Sequence, residues 1–129
     1  MELEKQVTNK ELSQKMKELG FKQESLFYWV IVKKDKLIEE KFLVYKTYIG
    51  YIFETGGECS FNYVKEIYSA YTIAELGEII KKVSGTKILK SYRECGGNNY
   101  DNTAEVIINI IDVNFLAKML IYLKENKLI

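Results

Sequence analysis

The 129-residue chain contains no histidine and no proline, only two cysteines, and a single arginine, Arg93, among its nineteen basic residues. The absence of histidine removes the commonest general base and the commonest metal ligand of proteins, so we expect no catalytic residue, no metal and no other cofactor. The net charge is only +1, which excludes a strong field that would attract nucleic acid or an anionic membrane. We therefore expect neither as a partner.

Length and composition indicate one globular domain over residues 1–129. Apolar residues make up 47% of the chain and charged residues 29%, and this length allows a core without disulfides. The first residues, Met-Glu-Leu-Glu-Lys, contain no apolar run, so we expect no signal peptide. Two cysteines without such a signal indicate a reducing, cytoplasmic setting.

The C-terminal stretch combines a predicted strand over 103–111 with a predicted helix over 113–124. The strand is rich in β-branched residues, and Asp112 between the two elements can cap the helix. The helix is apolar nearly all round, which is more apolar surface than one sheet face covers. We therefore expect a homo-oligomer.

Two Thr-x-x-Glu patterns predict helix starts through a capping box, in which threonine and glutamate each accept from the other's backbone N–H. Thr8 would begin a helix over 9–19, which Gly20 ends in a Schellman motif. Thr72 would begin a helix over 73–83, which ends before Gly85.

Aromatic and β-branched runs predict the strands. These are 27–32, a strand within 42–53, and the hairpin arms 87–93 and 103–111. Residues 61–68 fit either a helix or a strand, and their composition favours a strand. The predicted order is α-β-β-(β)-α-β-β-α, an α+β fold with helices on one face of an antiparallel sheet. A duplicated α-β-β unit would also give this order, although capping alone explains the similar helix starts.

Cys59 and Cys95 lie in mirrored contexts, each beside a glutamate and a Gly-Gly pair. Neither cysteine has a second ligand at the spacing of a zinc site, nor a histidine to activate it. We therefore interpret both as ordinary thiols, while Cys95 remains the candidate nucleophile if the protein is an enzyme.

The stretch 92–101 is the best candidate for ligand binding. It brings a stacking ring, the only guanidinium and two amides around one predicted Gly-Gly turn, and such groups bind nucleobases and phosphates. The candidate ligand-binding residues are Tyr92, Arg93, Asn98, Asn99 and Tyr100. Six further tyrosines suggest either a partner interface or a half-buried sheet face: Tyr45, Tyr48, Tyr51, Tyr63, Tyr68 and Tyr71.

Three segments carry a resemblance to known sequences: residues 7–20 with 23–29, which read VTNKELSQKMKELG and QESLFYW; residues 69–78, SAYTIAELGE; and residues 117–129, AKMLIYLKENKLI. They resemble a family of small uncharacterised proteins from phages and bacterial mobile elements. The similarity covers under half of the chain and consists of helix caps and helix faces, so it implies no catalytic residue. The long, proline-free stretch between Trp29 and Ser69 differs from the family.

The resemblance implies a phage accessory protein in the host cytoplasm that acts by binding. Its expected partner is a host defence protein that it blocks, or a nucleotide-like signal that it sequesters. The alternatives are a structural or regulatory partner of another phage protein, and a small enzyme that uses Cys95 or a lysine–carboxylate pair.

Overall fold

The computed structural model describes residues 2–33, 39–47, 64–96 and 112–129. Its elements, in chain order, are a 3₁₀ turn Leu3–Lys5, helix α1 Lys10–Glu18, strands β1 Phe27–Lys33, β2 Glu39–Tyr45 and β3 Val64–Ala70, and helices α2 Ile73–Ile80, α3 Gly85–Glu94 and α4 Val113–Glu125. The fold is α+β, as the sequence predicts. The predicted strand 103–111, the predicted Gly-Gly turn beyond Gly96, and Cys59 lie outside the described residues.

The three strands form an antiparallel sheet in the order β2-β1-β3. Trp29 of the central strand is paired with Leu43 of β2 on one side and with Tyr68 of β3 on the other. Trp29 and Val30 point to opposite faces and are only 3% and 0% exposed, so both faces of β1 are covered. The strand predicted over 27–32 is confirmed, and the ambiguous stretch 61–68 is a strand from Val64 onward.

Helix α1 begins one residue later than its capping box predicts. Asn9 is the N-cap and its side chain accepts from the Leu12 N–H. The Thr8 hydroxyl lies 2.7 Å from the Ser13 hydroxyl and accepts from the Tyr71 N–H. Thr8 is fully buried. Its hydroxyl, which the local sequence assigns to the helix cap, instead accepts from the Tyr71 N–H, 63 residues further along the chain.

The predicted Schellman motif at the end of α1 is confirmed. Gly20 has φ +88°. Its N–H donates to the Lys17 carbonyl, and the Phe21 N–H donates to the Met16 carbonyl at 3.0 Å. Phe21 and Met16 then pack in the same core cluster. This turn directs the chain from α1 towards β1.

Helix α2 has the predicted capping box, since Thr72 accepts from the Glu75 N–H and Glu75 accepts from the Thr72 N–H. The helix ends at Ile80, and α3 begins at Gly85. The strand predicted over 87–93 is therefore wrong. Within α3, Ile88, Ser91 and Tyr92 are buried at helical spacing. Because a helix rather than a hairpin arm follows α2, the described residues do not form a second α-β-β unit.

Helix α4 is the centre of the helical core. Asp112 caps it by accepting from the Asn114 N–H, as predicted, and α1, α2 and α3 all pack against it. Helix α1 also contacts β3, which joins the helices to the sheet. Seven apolar residues of α4 are buried within the single chain: Val113, Leu116, Ala117, Met119, Leu120, Ile121 and Leu123. The apolar surface that suggested an oligomer is thus covered without a second copy.

Candidate functional site

The two most exposed large apolar side chains of the described residues lie at one corner of the sheet. Leu26 is 59% exposed and Tyr45 is 56% exposed. Phe27 joins them, because its ring contacts the Tyr45 ring at a tilt of 47°, with the centroids 4.8 Å apart. We call Leu26, Phe27 and Tyr45 the corner surface. Neighbouring exposed apolar groups of this kind are typical of contact surfaces.

Hydrogen bonds fix the backbone of the corner surface on both sides. The Leu26 carbonyl accepts from the Lys46 N–H at 2.8 Å, which extends the β1–β2 ladder by one pair. The Leu26 N–H donates to the Glu75 carboxylate at 3.1 Å. Glu75 also closes the capping box of α2. The exposed leucine is therefore held between the sheet and a helix start.

A polar network holds the loop that precedes the corner surface. The Gln23 side-chain amide donates to the Phe21 carbonyl and to the Tyr71 hydroxyl, and its oxygen accepts from the Ser69 N–H at 2.9 Å. The Tyr28 hydroxyl donates to the Gln23 carbonyl. Because these bonds join the loop to β1 and β3, the side chains of the corner surface extend from an ordered backbone.

Burial affects the acidity of one member of this network. Tyr71 is only 2% exposed, and burial raises its pKa to about 12, with the nearby Glu75 carboxylate acting in the same direction. The Tyr71 hydroxyl is thus protonated at neutral pH and donates to the Lys22 carbonyl. Tyr71 is therefore neutral within this network, which does not resemble an acid–base pair poised near neutrality.

A groove of about 860 Å³ lies where α2 and α4 begin. Its walls include Ile73, Asp112 and Asn114. Helix N-termini attract anions, but the carboxylates of Glu75 and Asp112 already accept N–H groups at these two helix starts. These two carboxylates weaken the positive potential of the helix starts, which does not favour a phosphate in the groove.

Two of the five predicted ligand-binding residues, Tyr92 and Arg93, lie within the described part of the chain. Tyr92 lies in α3, is 7% exposed and packs edge-on against Phe115, with ring centroids 5.3 Å apart. The Tyr92 ring is thus part of the helical core, which does not favour the stacking role that the sequence predicts for it. Arg93 is exposed on the same helix. Asn98, Asn99 and Tyr100 lie outside the described residues, and ligand binding there stays a prediction.

Cys95 follows α3 and is partly buried. Burial raises the pKa of its thiol, although Lys118 acts in the opposite direction. A nucleophilic cysteine needs a lowered pKa, so this environment does not favour the enzyme hypothesis. In the described parts of the chain, no three metal-ligating side chains come together.

The exposure of the corner surface is the feature of the site that the sequence did not predict. For Tyr45 the sequence leaves open a partner interface or a half-buried sheet face, and no sequence pattern indicates that Leu26 is exposed. Among the six clustered tyrosines, Tyr45 is exposed, Tyr68 and Tyr71 are buried, and the other three lie outside the described residues. Alternation along β2 places Tyr45 and Leu43 on one face of the sheet. It does not predict which of these two side chains other elements bury.

The comparisons with known proteins do not identify a relative. No protein-family model matches the chain, and no curated protein or solved structure matches it significantly. Across the described residues, every helix is too short or too polar to cross a membrane.

Proposed function

We propose that the protein is a non-enzymatic accessory protein that acts by binding another protein, and that the corner surface is its contact. The observation that carries this proposal is that Leu26 and Tyr45, each more than half exposed, lie at the same corner of the sheet. Hydrogen bonds fix the backbone of this corner. Aromatic side chains are enriched in protein interfaces, and a few of them supply most of the binding energy.

The corner surface is ordered in advance, and its two main residues are more exposed than the isoleucines elsewhere. Ile73 and Ile129 are only about 40% exposed. At the corner, the ring contact between Phe27 and Tyr45 and the two backbone bonds of Leu26 order the groups before binding. A surface ordered in advance loses less entropy when a partner binds.

The resemblance of the two chain ends and the α2 start to phage and mobile-element proteins suggests the kind of partner. We infer a protein of the bacterial host, with a defence protein as the leading candidate. Binding would block that protein, which requires no catalytic group. A structural partner among phage proteins would use the same surface. Identification of the bound protein distinguishes this alternative from a host target.

The test is capture from lysates of host cells with and without phage, with the wild-type chain and a Leu26→Ser/Tyr45→Ser variant as baits. One protein retained stoichiometrically by the wild type and lost by the variant supports the proposal. A protein retained equally by both baits contradicts the assignment of the corner surface as the contact. Native mass spectra of the purified chain provide the second readout, because a retained nucleotide would move the function to the 92–101 segment.

A further inference from the structure

Charge is unevenly distributed along the chain. Residues 81–96 and 112–129 contain eight basic and three acidic residues, which gives these two segments a net charge of +5. The other 95 residues carry −4, since the whole chain carries +1. The basic segments contain α3 and α4, which pack against each other. The small net charge of the whole chain, which argues against nucleic acid as a partner, therefore averages over two oppositely charged parts.

The start of α3 and the end of α4 bring four exposed lysines together. Lys82 and Lys87 line a groove of about 310 Å³ with Leu128, and the Lys87 ammonium donates to the Leu128 carbonyl at 2.9 Å. Lys127 directly precedes Leu128. Lys90 lies three residues after Lys87, and therefore next to it on the helix surface. We call Lys82, Lys87, Lys90 and Lys127 the basic face.

The described parts of the chain do not neutralise the basic face. Among the described residues, ion pairs join Lys22 to Glu24 and Lys81 to Glu78, and neither pair includes a lysine of the basic face. The Glu78 carboxylate, one helical turn before Lys82, is thus taken by another lysine. All four side chains of the basic face are exposed, so their ammonium groups are accessible to an anionic partner.

The backbone of Lys127 gives an independent indication. Its φ is +57°, in the left-handed region that L-residues disfavour and glycine adopts freely. This conformation lets the Leu128 N–H donate to the Leu123 carbonyl at 2.8 Å, as in a Schellman motif. Glycine would end α4 with less strain, so folding alone does not favour a lysine here. Residues held in such conformations cluster at functional sites.

We propose that the basic face binds the phosphate backbone of a nucleic acid, without recognition of its bases. A lysine ammonium is a point charge on a flexible stem, which attracts phosphate without a fixed geometry. A duplex carries one negative charge per about 1.7 Å of its axis, so neighbouring phosphates can meet several clustered lysines at once. That charge density favours nucleic acid over an acidic protein, whose carboxylates are interspersed with other side chains.

The basic face and the corner surface lie at opposite ends of α2. Glu75, whose carboxylate accepts from the Leu26 N–H, is in the first turn of this helix. Lys82 comes two residues after the helix ends at Ile80, and a helix of this length spans about 12 Å. One chain can therefore contact a protein at the corner and a nucleic acid at the basic face. Neither proposal requires the other.

Fluorescence anisotropy of a short labelled DNA duplex of mixed sequence tests the proposal with the full chain. With about three to four phosphate contacts, an increase in NaCl from about 50 to 200 mM should weaken binding roughly 40- to 150-fold. Lys87→Gln/Lys90→Gln should weaken binding at low salt and reduce the slope of log affinity against log salt by about 1.8. The matched control is Lys5→Gln/Lys10→Gln, which removes the same charge near the start of α4 and should leave the affinity within about twofold.

Several outcomes overturn the proposal. These are a wild-type chain that does not bind the duplex at about 50 mM NaCl, and an equal loss of affinity in the two double variants. Poly-L-glutamate and phosphatidylglycerol vesicles are the competing probes, and equally tight binding of either one overturns nucleic acid as the partner. Leu26→Ser/Tyr45→Ser retains the basic face and should bind DNA like the wild type, so failure at one surface is distinguishable from failure at the other.

Variants of Lys127 separate backbone strain from charge. Lys127→Gly relieves the positive φ and removes the ammonium group, so the thermal midpoint should rise while DNA binding weakens several-fold. Lys127→Arg retains both the strain and the charge and should leave the midpoint and the affinity close to those of the wild type. A Lys127→Gly chain that binds DNA as tightly as the wild type overturns the assignment of Lys127 to the basic face.

Discussion

The side-chain amide of Gln23 donates to the Tyr71 hydroxyl across 3.0 Å, although 48 residues separate the two in sequence. Gln23 lies in the loop before β1, and Tyr71 directly follows β3. The same glutamine side chain accepts from the Ser69 N–H. One half-buried side chain therefore joins the loop that carries Leu26 to the far strand of the sheet.

Removal of this side chain should destabilise the protein. Gln23→Ala leaves the Ser69 N–H, in a fully buried residue, without its acceptor and deprives the Tyr71 hydroxyl of a donor. We expect a loss of about 1–3 kcal/mol in the free energy of unfolding, measured by urea denaturation. The control is Gln14→Ala, since Gln14 makes only an exposed bond to Glu18. Equal losses in the two variants would contradict the role of Gln23.

The raised pKa of Tyr71 makes a prediction about alkaline pH. The folded state holds the phenolic proton up to about pH 12, whereas the unfolded chain releases it near its ordinary pKa of about 10. Protons are thus bound more tightly in the folded state, and this stabilisation, up to about 3 kcal/mol, is present below pH 10 and lost as pH rises towards 12. Urea midpoints across that range should fall more steeply for the wild type than for Tyr71→Phe. Parallel curves would contradict the prediction.

Two glycines offer a matched comparison of backbone effects. Gly20 has φ +88° and Gly77 lies within α2, and a Cβ added at either position meets no atom within 4 Å. Gly20→Ala should cost about 1–2 kcal/mol, because L-residues disfavour positive φ. Gly77→Ala should stabilise the helix by about 0.5–1 kcal/mol. Thermal unfolding measures both, and the same sign for the two variants would contradict the backbone assignment.

Elements governed by local chemistry could be predicted from the sequence. The Schellman turn at Gly20, the capping box of Thr72 and Glu75, and the Asp112 cap of α4 each depend on residues a few positions apart. Strand β1 is predictable because its aromatic and β-branched run has no competing helical period. The α+β class follows from these elements alone.

Features decided by distant contacts could not be predicted. Thr8 leaves its expected cap because Tyr71 and Ser13 bond its hydroxyl in the core. The stretch 87–93 is helical because Ile88 and Tyr92 pack against the other helices, although its composition also fits a strand. The exposure of Tyr45 likewise depends on where cover by other elements ends. Sequence patterns predict the face on which a side chain lies, but they do not predict which residues contact it.

The most direct test of the proposed function is the affinity of a captured partner for matched variants, measured by isothermal titration calorimetry. Leu26→Ser/Tyr45→Ser should weaken binding by at least roughly tenfold, since each interface anchor contributes on the order of 1–2 kcal/mol or more. Ile73→Ser/Ile129→Ser removes exposed apolar groups elsewhere and should leave the affinity within about twofold. An unchanged affinity in the corner variant, or an equal loss in the control, would contradict the corner surface as the site of binding.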